Sequence, residues 1–82
     1  MKKVPLTQLK AGENGIVAEI AGGIGLRRRL EVMGIREGIK LKKISTQLLR
    51  GPVSVQVGNT TVAIGFGMAS RIIVQTDGEE QE

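Results

Sequence analysis

At 82 residues the chain has room for one domain, and a domain of this size buries only about 60–65% of the surface its unfolded chain exposes. The lack of cysteine excludes disulfides and thiolate metal sites and fits a reducing cytosol, the lack of histidine removes the commonest ligand and base, and a single aromatic residue, Phe66, excludes large ring-built binding surfaces. The net charge of +4 is unevenly spread: four of the eight acids stand in the last six residues, so residues 1–76 carry 12 basic and 4 acidic groups, a field that speeds encounter with an acidic protein, an anionic lipid or a nucleic acid.

Leu6 to Gly12 is predicted to form a short turn, capped by Thr7 and stopped by Gly12, that lays Leu6 and Leu9 over the core as a lid. Asn14-Gly15 is a turn signal. Ile16 to Ile20 follows as a first strand, with Ile16, Ala18 and Ile20 on one face and Val17 and Glu19 on the other. After Gly22-Gly23-Ile24-Gly25 the period lengthens: Leu26, Leu30 and Met33 stand at i, i+4 and i+7, one face of a helix over about 23–33. Arg27, Arg28 and Glu31 then point to water, and Gly34 is placed to cap the helix C-terminus.

Arg36-Glu37-Gly38 reads as a turn. Ile39 to Lys42 alternates like a half-buried strand, while Lys43-Ile44 reverses the parity, which a bulge near Lys42-Lys43 would explain. Gln47 to Pro52 is a loop, after which Val53, Val55 and Val57 alternate with Ser54 and Gln56, and Gly58-Asn59 is a two-residue hairpin turn into Val62 and Ile64. Gly65 and Gly67 break the next apolar run around a one-turn element near 66–70, before a last strand from Arg71 to Gln75. The expected fold is mainly β: a small, partly open, five-stranded SH3-like barrel with one inserted helix. An OB-type barrel has the same inventory and is the alternative. Residues 1–75 form the domain and 76–82 a disordered acidic tail.

Candidate chemistry is sparse. The glycine run before the helix invites a phosphate-loop reading, but a Walker loop needs a lysine and a hydroxyl at fixed spacing, and a dinucleotide fingerprint needs a βαβ unit with a later acid. Neither is present, so the run is a strand-to-helix connection. Ser45, Ser54 and Ser70 have no histidine or cysteine to work with, and Glu13, Glu19, Glu31 and Glu37 stand apart. The chain is therefore expected to be no enzyme, with no cofactor and no metal site of its own. Arg27-Arg28-Arg29 with Lys40, Lys42 and Lys43 form a possible phosphate-contacting surface, but single-strand binders add stacking aromatics that are missing here. Leu48-Leu49 in a loop flanked by Gln47 and Arg50 is either an exposed protein contact or a fold-back over the barrel end, and Phe66 has the same two readings. No apolar run approaches the roughly 18–20 residues of a membrane span and no signal-peptide core follows the N-terminus, so the chain reads as soluble and cytoplasmic.

Leu6, Leu9, Gly12, Gly15, Val17 and Ile20, then Arg29-Leu30 with Met33-Gly34-Ile35, Gly38, Gly51-Pro52-Val53 and Val62-Ala63-Ile64-Gly65-x-Gly67-Met68-Ala69, occur in an order that resembles the FeoA family. Corner glycines and strand-position aliphatics make up most of the likeness, so it marks a fold more than a site. The resemblance implies an SH3-like accessory protein of bacterial ferrous-iron transport, cytoplasmic or peripheral at the inner face of the membrane. Its implied partner is the transporter FeoB, whose cytoplasmic part contains a GTP-hydrolysing domain. The same domain type closes iron- and manganese-dependent repressors, but no DNA-binding helices stand ahead of it here. Two positions depart from the family pattern: one glycine precedes Pro52 where many relatives have two, and Phe66 stands where a polar or basic residue is common. On this reading the partner-binding residues are Leu48, Leu49 and Arg50 with Arg27 and Arg28. A small basic barrel that binds nucleic acid is the alternative, and self-association through a strand edge is a third reading.

Overall fold

The computed structural model describes residues 2–45 and 50–76. Within them six strands form one antiparallel sheet: β1 (Lys2–Pro5), β2 (Asn14–Ile20), β3 (Lys40–Lys43), β4 (Val53–Val57), β5 (Thr60–Ile64) and β6 (Ile72–Thr76). A 3-10 turn (Leu6–Gln8) follows β1, helix α1 (Ile24–Val32) joins β2 to β3, and the one-turn helix α2 (Phe66–Ala69) joins β5 to β6. The order across the sheet is β1-β6-β2-β3-β4-β5. The two edge strands are not paired to each other, so the sheet curls without closing.

The mainly β reading and both helical insertions agree with this architecture, but there are six strands rather than five. The extra one is β1, paired with β6 from Lys2↔Thr76 to Pro5↔Ile73. Its two exposed lysines and half-buried Val4 and Pro5 give no alternation to read, and an edge tolerates a proline that cannot donate to the ladder. The C-terminal strand also begins and ends one residue later than expected.

Helix α1 ends as its sequence requires. Gly34 has φ +85 and donates its N–H to Glu31 O at 2.9 Å, while Ile35 N–H reaches Leu30 O at 2.9 Å. These are the two bonds of a Schellman motif, and the apolar contact that accompanies it is supplied by Leu30 and Ile35, both fully buried. Leu26, Leu30 and Met33 face the core as their spacing demands. The β4–β5 hairpin is likewise in the expected register, Val57↔Thr60, with positive φ at Gly58 alone, the arrangement of a type II′ turn.

Three local expectations are corrected. Asn14-Gly15 is not a turn but the start of β2. A Cβ on Gly15 would lie 3.2 Å from Val74 Cβ, so the glycine serves the close approach of β6. Within β2 the inward residues are Val17 and Ile20, and Ile16 is 45% exposed. The reason is a bulge: the register with β6 slips between Val17 and Glu19, so the pleat loses its strict alternation there. The bulge expected near Lys42-Lys43 does not exist. β3 alternates regularly, with Leu41 and Lys43 inward and Ile44 on the outer side at 41% exposure.

Lys43 is 1% exposed. Its ammonium donates to Leu9 O at 2.7 Å and to Thr7 O at 3.2 Å, so a buried cation ties β3 to the segment that carries Leu6 and Leu9 into the core. Burial pushes the Lys43 amine below its ordinary 10.5, and the nearby charge of Glu13 opposes that shift. Glu13 itself accepts from Lys10 N–H at 3.0 Å and from the Thr76 hydroxyl at 3.2 Å. The 3-10 turn is thus the predicted lid, but no side chain caps it: its N-cap position is Pro5, and what fastens it is a lysine more than thirty residues away.

Candidate partner-binding surface

α1 projects from the connection between β2 and β3 and buries only the Leu26, Leu30 and Met33 side of its short cylinder. Its arginines therefore face solvent, but they are not equivalent. Arg27 Nη2 lies 3.0 Å from Glu37 Oε2 and reaches Ile20 O at 3.5 Å, so this arginine ties the helix to the Arg36–Gly38 turn and to the end of β2. Arg28 and Arg29 are exposed and make no ion pair or hydrogen bond among the described residues. Ile24 and Val32, on the same helix, are 67% and 88% exposed. Sequence reasoning passed over these two aliphatics, although their spacing of four residues either side of Arg28 was available to it.

Arg50 stands elsewhere, just before β4. Its backbone is left-handed at φ +62, a conformation that costs a side chain-bearing residue about 1–2 kcal/mol and glycine little. Its guanidinium lies 5.9 Å from the centre of the Phe66 ring at the start of α2, within cation–π range. Arg50 and Phe66, sixteen residues apart in the chain, therefore meet in space. No hydrogen bond or ion pair joins Arg50 to α1 among the described residues. Leu48 and Leu49 lie outside the described residues.

The other basic side chains divide by strand parity. Lys40 and Lys42 are exposed on the outer face of β3, beside an open groove of about 540 Å³ lined by Ile39, Val57 and Gly58, whereas Lys43 points inward and is unavailable to any partner. A surface using all three lysines is ruled out by this geometry. Among the described residues no group of three or more His, Cys, Asp or Glu side chains converges on a point, and no helix is long and apolar enough to cross a membrane.

Residues 4–76, from within β1 to the end of β6, match the FeoA domain. The chain belongs to the FeoA family. A Methanocaldococcus jannaschii protein provisionally described as Fe(2+) transport protein A is 44% identical to it over 71 residues, 87% of this chain and 84% of that one. A crystal structure of an iron uptake regulatory protein (FeoA) is 35% identical, with a TM-score of 0.82 over 92% of this chain and 97% of that one. A manganese-dependent transcriptional repressor is 25% identical with a TM-score of 0.83, but there 92% of this chain covers only 42% of the other. The FeoA sheet thus occurs both as nearly a whole chain and as under half of a longer one.

Proposed function

We propose that this FeoA-family chain is a non-enzymatic accessory protein of ferrous-iron uptake that acts in the cytoplasm by binding the GTPase-containing region of an FeoB-type transporter. The observation that carries the reading is the extent of the family match: it runs through every strand of the sheet, and a relative alike over 87% of the chain is described by Fe(2+) transport. The chemistry of the described surface supports a binding role, since it offers free cations and exposed aliphatics and no cluster of metal-ligating side chains. Such a protein acts on its partner by preferring one conformation of it, and typical couplings of about 1–3 kcal/mol shift populations roughly 5–150-fold.

The test is calorimetric titration of the full chain into the purified cytoplasmic GTPase-containing region of the cognate transporter at physiological salt. Saturable binding at a defined stoichiometry is expected. Absence of heat and of any co-elution at high micromolar concentrations of both proteins would remove the proposal, and binding to RNA or DNA with a steep salt dependence would replace it.

A further inference from the structure

Helix positions advance by about 100° per residue. With Ile24 at the origin, Arg28 falls at about 40° and Val32 at about 80°, while Leu26, Leu30 and Met33 cluster near 180–240° against the core. The most outward stripe of α1 is therefore Ile24-Arg28-Val32, an apolar–cationic–apolar series about 12 Å long whose aliphatic members are 67% and 88% exposed. Half of the exposed large aliphatics among the described residues lie on this one short helix. Arg28 at its centre makes no ion pair or hydrogen bond among the described residues; Glu31, at about 340°, borders the stripe beside Ile24 and Arg29, at about 140°, lies beyond Val32, whereas Arg27 is already neutralised by Glu37.

We propose that the Ile24-Arg28-Val32 face of α1 is a docking surface for an acidic protein surface with an apolar centre. This rests on the binding role proposed above and identifies the contact. The charge at the middle of the stripe selects the occupant. A second copy docked by a twofold axis would set Arg28 against its own symmetry mate, like charge on like charge in a partly dehydrated contact. A nucleic-acid backbone rewards the arginines but leaves the two aliphatics in water. An anionic bilayer would accept both, but Glu31 lies about 60° from Arg28 on the same outward side and would face the headgroups. A partner protein with carboxylates opposite Arg28 and Arg29 satisfies them, buries Ile24 and Val32, and, unlike a uniformly anionic bilayer surface, can set a hydrogen-bond donor rather than a second anion opposite Glu31.

The groove beside Lys40 and Lys42 provides the control. Amide-resolved NMR titrations would follow the full-length chain and its Arg28→Glu, Val32→Ser and Lys42→Glu variants with the transporter's cytoplasmic GTPase-containing region. All three positions are exposed, and unchanged spectra in the absence of partner verify the fold. The expected result is that shifts centre on residues 24–32, that Arg28→Glu weakens binding about ten-fold or more and Val32→Ser measurably, and that Lys42→Glu binds nearly as the parent does. Tight parental binding that Arg28→Glu and Val32→Ser leave intact, or that Lys42→Glu weakens more, overturns the α1 assignment while leaving the accessory role standing. No binding by the parent overturns both. The same α1 shifts on adding phosphatidylglycerol vesicles, on adding RNA, or on raising the protein's own concentration overturn the choice of occupant.

Discussion

Replacing Lys43 by methionine tests the view that a buried cation holds the Leu6–Leu9 segment in place. Methionine keeps the length and most of the apolar stem but cannot donate. Leu9 O, bonded at 2.7 Å in a buried setting, then loses its partner, and an unsatisfied buried acceptor costs about 1–3 kcal/mol. Thr7 O, at 3.2 Å and only partly buried, can turn to water and is assigned the low end, about 1 kcal/mol. Against this, the variant no longer carries the desolvation penalty that holds the Lys43 amine below 10.5. The expected net loss is about 2 kcal/mol, or about 8–16 °C in Tm for a domain of this size. Calorimetry at neutral pH measures it, with Lys42→Met, one residue away on the exposed face, expected to change stability by less than about 0.5 kcal/mol. A Tm for Lys43→Met equal to or above the parent's would refute the reasoning, because burying the ammonium would then outweigh both bonds. The pH dependence has a definite sign. Since the folded pKa is lowered, the unfolded chain holds more protons between that value and 10.5, so this group's contribution to stability rises with pH across that window. The parent's advantage over Lys43→Met should widen there and stay level below it.

Gly34→Ala should cost about 1–2 kcal/mol, all of it from the left-handed backbone, because the added Cβ meets only Val57 Cγ1 at an ordinary 3.8 Å; a denaturation midpoint equal to the parent's would contradict the Schellman reading. Arg50→Gly relieves the φ +62 conformation, worth about 1–2 kcal/mol, and forfeits a cation–π contact of about 0.5–1 kcal/mol at an exposed site, so its net effect should be a stabilisation between zero and about 1.5 kcal/mol. A double-mutant cycle with Phe66→Ala should nevertheless give a coupling of about 0.5–1 kcal/mol, and independence of the two substitutions would show the ring contact to be idle.

What could be read from the sequence were features whose determinants lie within a few residues of one another. The α1 face of Leu26, Leu30 and Met33, its stop at Gly34 and the Val53–Ile64 hairpin are local patterns, and all three stand in the structure. Asn14-Gly15 reads as a turn because the reason for Gly15, the proximity of Val74, is tertiary. Ile16 shares a face with Ile20 by alternation alone, because a bulge leaves no mark on an alternating run. Lys43 is more instructive. Its apolar neighbour Ile44 makes the alternation read as reversed at Lys43-Ile44, which a bulge would explain, whereas the structure turns a lysine, a residue seldom buried, inward to Thr7 O and Leu9 O, acceptors that cannot be seen from β3. For the proposed binding surface, the arginine run is what points to the helix. What separates Arg27 from Arg28 is Glu37, ten residues on, and only folding brings it within 3.0 Å.

The place of β6 in the sheet has a consequence for biosynthesis. β2, β3, β4 and β5 pair as successive neighbours in the order β2-β3-β4-β5 and can assemble as they leave the ribosome, but among the described residues β1 pairs only with β6. Until residues 72–76 emerge, β1 is a loose strand and the side of β2 that β6 will cover is an open edge of unpaired amides, the kind of edge that recruits strands from other chains. Insertion of β6 closes both gaps in one step and joins Lys2 to Thr76. Loss of even a few residues from β6 by premature termination would therefore do more than shorten a terminus: it would strand β1 and leave behind a sheet prone to aggregate.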